Sequence, residues 1–407
     1  MSLPFLSGCN TGGYAGVPVS FHPGFYLTQV GTAARAAMIT DITDFACFRG
    51  AMFRYSWNEL EVADGDYSGI TTHILPDLDD IAAISSGANR KRVVIMIHLR
   101  TTSSVDAASA DDVVPTFMVS NPTYNGGQWT FSNDNVSTPA AGGKMICLWD
   151  ADVQARFALC IQAVADAVAN YQAADSASVD YNPVEAIVLS ESSIGGTAFA
   201  SQPYGATFPT FWEEMYSEGY YRLCLNLKTS FPRHTTVGFA NFPKDGAGRI
   251  IDGGTFYTGA TPVNGLIAEG IGIGSPNTVE DDPGYDPTRF AGGYPGTREY
   301  YPSAAGVVPI MPSWQKPDYV WSRLDTPPND SNPLGFAPTA EDLYLYCKNE
   351  LFATHIIMTR SDANDPVSGT NYWTLAKNYF NSSGLYAIRN GGLASAKPSA
   401  YGTVDTD

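Results

Sequence analysis

The chain reads as a single (β/α)8 barrel, and three observations predict it. Eight short runs rich in β-branched and aromatic residues recur along the sequence. Several are near-continuous apolar stretches, as parallel strands covered on both faces require. Stretches with helical spacing lie between them, and strands alternating with helices imply a parallel sheet that eight such units close into a barrel.

In order, the runs are HPGFYL (22–27), GAMFRYSW (50–57), RVVIMIHL (92–99), VEAIVLSE (184–191), TVGFANF (236–242), EGIGIGS (269–275), GVVPIMPSW (306–314) and THIIMTR (354–360). Apolar residues at helical spacing mark 151–172 and 208–230. They also mark 340–352, where Thr339 supplies an N-cap with Asp342 three positions on. Long loops rich in Gly, Pro, Asn and Tyr follow the third, fifth, sixth and seventh runs, over 100–150, 243–265, 275–305 and 322–338. In a barrel such loops gather on one face and wall a cleft over the strand ends. The expected organisation is one barrel domain over 1–385, then a C-terminal tail over 386–407 that is weakly ordered or strapped to the surface.

Composition narrows the function. With 44% hydrophobic and only 16% charged residues, the chain has ample material for a large core and no signature of disorder. A formal charge of −18 repels a phosphate backbone and an anionic membrane surface, so nucleic acid is excluded as a partner and a neutral ligand fits better. No segment approaches the roughly 18 apolar residues of a membrane span, so no membrane insertion is expected. The N-terminal MSLPFLSGCNTGGYAG has neither the cationic start nor the apolar core of a signal peptide. A soluble protein without a visible export address is expected, its compartment unassigned. The six cysteines are scattered without a CxxC, which is neither a zinc pattern nor a disulfide scaffold. No GxGxxG after the first run, P-loop, HExxH or GxSxG is present, and VEDDPGYDPT (279–288) lacks the ligand order of a calcium loop. No cofactor or metal is implied.

Residues 53–67, FRYSWNELEVADGDY, carry an Arg–x–x–Trp–x–x–Leu–Glu–x–x–x–Gly–x–Tyr pattern. This resembles the segment after the second strand in clan A glycoside hydrolases. The motif covers that stretch alone, and strand order extends the likeness over the barrel. The resemblance implies that Arg54 lies beneath a reaction centre and orients a carboxylate, with Glu59 and Glu61 in the loop beyond. Trp57, Leu60 and Tyr67 can equally pack the strand–helix turn.

Glu191 ends the fourth run. A carboxylate placed directly after an apolar strand must enter the barrel mouth or be paired, because burying a free charge is expensive. The resemblance makes Glu191 the general acid/base, at the place where the family writes Asn–Glu, with Ser190 replacing the Asn that binds a sugar hydroxyl. A cleft carboxylate that only binds ligand or braces Arg54 is the other reading.

Glycoside hydrolysis ordinarily needs a second carboxylate, roughly 5 Å away for retention or about 6.5–9.5 Å for inversion. The family places it at the end of strand seven, where this chain has Ser313, Trp314 and Gln315. Asp362, after the eighth run, is the best-placed substitute, ahead of Glu280, Asp281, Asp282 and Glu269. Arg360 beside it would keep Asp362 ionised, as a nucleophile or base requires; alternatively the two form a surface pair. The expected sugar contacts are Arg54, Trp57, His98, Asn241, Trp314, Gln315 and Arg360, with the indoles covering pyranose C–H faces. Trp373, in the helical NYWTLAKNYF, reads as core.

The expected function is a glycoside hydrolase acting on an oligo- or polysaccharide. The alternative is a barrel that has kept the cleft and lost the reaction, serving as a carbohydrate-binding or structural protein of a larger assembly such as a virion or cell surface. A homo-oligomer or larger assembly is compatible with either.

Overall fold

The computed structural model describes residues 18–29, 35–86, 89–100, 112–131, 143–171, 181–190, 219–239, 262–275, 301–314, 339–360 and 369–406. Eight parallel strands close into a barrel: β1 (Gly24–Gln29), β2 (Phe48–Ser56), β3 (Arg92–His98), β4 (Val184–Leu189), β5 (Thr235–Phe239), β6 (Gly272–Ser275), β7 (Ile310–Trp314) and β8 (His355–Arg360). Each lies within or against one of the eight runs read from sequence, and each pairs with its sequence neighbours, with β8 closing on β1.

Helices follow the strands in turn: α1 (Arg35–Asp44), α2 (Leu75–Ala83), α3 (Ala151–Asn170), α4 (Tyr221–Ser230), α5 (Pro262–Ala268), α6 (Tyr301–Ala304), α7 (Ala340–Leu345) and α8 (Tyr372–Ser382). The start of α7 bears out its reading. Thr339 Oγ1 accepts from the Asp342 N–H at 3.2 Å, and Asp342 Oδ2 accepts from the Thr339 N–H at 2.8 Å. The long segment after β3 carries an antiparallel hairpin, Gln128–Phe131 with Gly143–Ile146.

Strand alternation sorts the core into two compartments. Tyr26, Met52, Val94, Met96, Ala186, Val188, Val237, Phe239, Met311 and Ile357 plug the barrel interior. Their neighbours on the opposite strand faces pack outward against the helices. The plug is close-fitting. A Cβ on Gly274 would lie 2.2 Å from the Phe239 ring, so only glycine leaves room for that side chain.

Beneath the plug, at the N-terminal ends of the strands, the barrel holds a buried charge cluster. The β3–β4 register passes from Val93–Val184 to Val94–Ala186, leaving Glu185 as an extra residue in β4. A bulge of this kind re-aims a side chain. Glu185 is fully buried, and it accepts from the His22 backbone N–H (2.7 Å), His22 Nδ1 (2.5 Å) and His355 Nε2 (3.0 Å). Arg92 lies 2.8 Å from His22 Nε2. A guanidinium can only donate, so Nε2 is the acceptor and the His22 proton sits on Nδ1, facing the carboxylate. Contact with the two histidines holds the Glu185 carboxyl well below its ordinary range, against the opposing effect of its burial.

Residues 386–406 form a strap across this end. Val19–Ser20 pairs in parallel with Val404–Asp405, and the Ser399 and Ala400 N–H groups donate to the Gly306 and Val307 carbonyls. At Gly391, φ is +60° and a Cβ would meet the Phe25 ring at 2.2 Å, which seats the strap directly on β1.

Candidate functional site

The C-terminal rim is where a barrel of this kind carries its chemistry. Above the apolar plug, continued alternation turns a ring of polar side chains inward: Thr28, Arg54, His98, Ser190, Ser313 and Thr359. Thr28, Ser190, Ser313 and Thr359 are nearly inaccessible to solvent, whereas Arg54 and His98 are partly exposed.

Arg54 and His98 sit on adjacent strands, which stay paired to Ser56–His98. Burial lowers the His98 pKa to about 3, and the nearby Arg54 charge adds to the effect, partly opposed by the ring's hydrogen bond to the Arg100 backbone. His98 is therefore a neutral imidazole at physiological pH, able to donate through one nitrogen and accept through the other.

Ser190 is fixed on both sides. Its N–H donates to the Ile97 carbonyl at 3.0 Å, and its Oγ accepts from the Leu99 N–H at 2.9 Å. The Ser190 hydroxyl is thus engaged by the backbone at the end of β3, and it anchors the end of β4 one residue before Glu191. Ser313 occupies the inward position at the end of β7. Its Oγ is buried and has no hydrogen-bond partner among the described residues. A buried hydroxyl in that state costs about 1–3 kcal/mol unless water or ligand satisfies it.

Three of the sequence-predicted sugar contacts are corrected. Trp57 is fully buried on the outer side of the barrel, 4.8 Å from the Phe157 ring centroid, with Nε1 donating to Glu61 at 2.8 Å. Glu61 is itself buried, paired with Arg156 of α3, and it accepts from the Gly65 N–H. The Trp–Leu–Glu–Gly part of the motif is therefore a strand–helix brace. Trp314 is also fully buried and faces outward, because Ser313 takes the inward position; its Nε1 donates to Cys347 Sγ. Neither indole presents a face to a sugar. Arg360 points into the helix layer, where Nε donates to Asp41 at 3.3 Å beside Trp373 Nε1 and Lys377 Nζ on the same carboxylate.

Trp373 stacks on Phe48 in the core, as read from sequence. Glu269 lies on the turn before β6, at the end opposite the mouth. Glu191, Asn241, Gln315 and Asp362 lie outside the described residues, as do Glu280, Asp281 and Asp282. Sequence reading missed Thr28 and Thr359 as rim residues, and it placed Ser313 at the end of the seventh strand without separating its face from that of Trp314. Counting by twos from Tyr26, Met311 and Ile357 finds all three.

His98 and His234 make a common prediction. Burial holds their pKa values at about 3 and about 4, below the ordinary 6.5. The unfolded chain binds more protons than the native one once pH falls below 6.5, so stability decreases from there towards pH 4. Each histidine contributes on the order of 1–3 kcal/mol to that loss. Chemical denaturation at pH 7, 5.5 and 4.5 reads it; a midpoint that stays constant over this window contradicts the burial of both rings.

No family model matches the chain, and no curated protein matches it in sequence. Among solved structures it is similar to endo-glycoceramidase II from Rhodococcus sp., at TM-score 0.48 and 14% identity over 88% of this chain and 79% of that one. It is also similar to a beta-galactosidase from Bacillus circulans sp. alkalophilus, at TM-score 0.48 and 11% identity over 88% and 52%. A third is the GH36 alpha-galactosidase AgaA from Geobacillus stearothermophilus, at TM-score 0.40 and 10% identity over 91% and 43%. The likeness to these glycoside hydrolases is one of fold.

Proposed function

We propose that the protein is a glycoside hydrolase acting on an oligo- or polysaccharide, with Glu191 as the general acid/base at the barrel mouth. The observation that carries the reading is the polar rim. Arg54, a neutral His98 and the Ser313 hydroxyl, which has no hydrogen-bond partner among the described residues, face inward above an apolar plug, and Ser190 fixes the chain at that rim one residue before Glu191. A neutral imidazole, a hydroxyl and a guanidinium are donors and acceptors suited to sugar hydroxyls. In the proposed reaction Glu191 protonates the glycosidic oxygen as the bond breaks, and Asp362 is the proposed second carboxylate, attacking the anomeric carbon or activating water.

One observation favours the binding-only alternative. Among the described residues no carboxylate stands on the inward face of the rim, and the strand-seven seat holds Ser313. The experiment that separates the two readings is incubation of the purified protein with plant, algal and bacterial polysaccharides, scored for both release of new reducing ends and equilibrium binding. Turnover of one or more glycans is expected. Binding without any turnover supports the carbohydrate-binding barrel instead.

A further inference from the structure

The β1–β2 ladder ends at Leu27–Ala51, although β1 stays paired with β8 through Gln29–Arg360 and β2 with β3 through Ser56–His98. The two strands therefore part company at the rim. At the gap lies a cleft of about 500 Å³, lined by Thr28 of β1, Arg35 of α1, both faces of β2, and α2 with the helical segment Ile70–Ile74 that leads into it. Arg54 belongs to it and also to the mouth, so the two spaces meet at that side chain.

The cleft walls are organised by their own contacts. The Arg35 guanidinium lies 4.9 Å from the Phe53 ring centroid and reaches Asp77 Oδ1 at 2.5 Å and Asp80 Oδ2 at 2.6 Å. Tyr55 OH donates to Asp77 Oδ2 at 2.5 Å. Arg35 covers the aromatic ring and leaves a polar surface on which two carboxylates are held in place before any ligand arrives. Fixed acceptors of this kind save the ordering cost of binding. A carboxylate has about four lone-pair sites, so both retain acceptor capacity for a pair of hydroxyls. Three carboxylates, Glu59, Asp77 and Asp80, outnumber the guanidinium groups of Arg35 and Arg54 on the wall, so an anionic ligand is disfavoured.

We infer that this cleft is a second carbohydrate subsite, taking an uncharged sugar unit of the same chain whose reacting bond lies at the mouth. The inference rests on the glycan reading of the mouth and extends it: the substrate is a chain of several units, bound across the rim between β1 and β2.

His73 offers a local reporter. It lines the cleft and is exposed, whereas His22 and His355 are buried and His98 and His234 are partly buried. The full chain is equilibrated with cello- and malto-oligosaccharides from the disaccharide upward, affinity is measured by calorimetry, and accessible histidines are then carbethoxylated and mapped by peptide mass. The expected result is affinity that rises with chain length, with longer members slowing His73 modification about fivefold or more while the disaccharide leaves it reactive. Asp80→Ala, at a half-exposed position, is expected to weaken the longer members about tenfold and bring them near the disaccharide. Oligosaccharides that bind with length-independent affinity, leave His73 reactive and ignore Asp80→Ala overturn the subsite while leaving the mouth reading intact. Absence of binding at every length overturns both.

Discussion

Glu185→Ala is expected to destabilise the protein by about 3–5 kcal/mol at neutral pH, the range observed when one member of a buried charged group is removed. The carboxylate receives three hydrogen bonds under the barrel, two from His22 and one from His355, and Arg92 stands behind His22. Without it, two imidazole N–H groups and the His22 backbone N–H lose their acceptor beside the buried Arg92 guanidinium, in a space closed by the C-terminal strap. Glu185→Gln keeps the volume but brings an NH2 against histidine donors, so it is expected to recover only part of the loss. The sign with pH follows from the lowered carboxyl pKa. The stabilisation is present above the unfolded value of 4.5 and is lost as pH falls below it. Urea denaturation of the three proteins reads the effect, and a midpoint unchanged in Glu185→Ala would show that the cluster holds nothing together.

Glu191→Gln is expected to lower kcat/KM on a glycan by about a hundredfold or more, within the 10²–10⁴ range that a general acid supplies. Glutamine retains shape and hydrogen bonding but cannot deliver a proton to the leaving oxygen. Binding of the glycan is expected to persist, because in this proposal the sugar is held by Arg54, His98 and the rim hydroxyls. A loss confined to KM would instead mark Glu191 as a binding residue, since removal of uniform binding leaves kcat unchanged.

The barrel was legible because each strand is a short apolar run and each run is followed by a helical one. The rim was legible only in part, and the reason is parity. A one-residue step along a strand moves a side chain to the other face. Trp314 was placed in the mouth, but Met311 points inward, so Ser313 takes the mouth position and Trp314 the helix layer. Arg54 shares the parity of Met52, and its inward placement follows from the same count. The buried cluster left a faint trace. His22, Arg92 and His355 each stand at the start of an apolar run, which together mark a polar floor. Glu185 could not be joined to them from sequence, because its inward turn comes from a register shift between two strands distant in the chain. The cleft between β1 and β2 was equally hidden, since it depends on where a ladder stops.

The most direct test of acid catalysis at the mouth compares two substrates that share one sugar and differ in leaving group. One is a glycan on which the screen finds turnover; the other is an aryl glycoside whose phenolate departs without protonation. Wild type and Glu191→Gln are assayed on both. A slowing of about a hundredfold or more on the glycan, with the aryl glycoside cleaved at nearly the wild-type rate in the bond-breaking step, is the predicted result. Equal rates for the two proteins on the glycan would contradict the assignment of Glu191 as the acid.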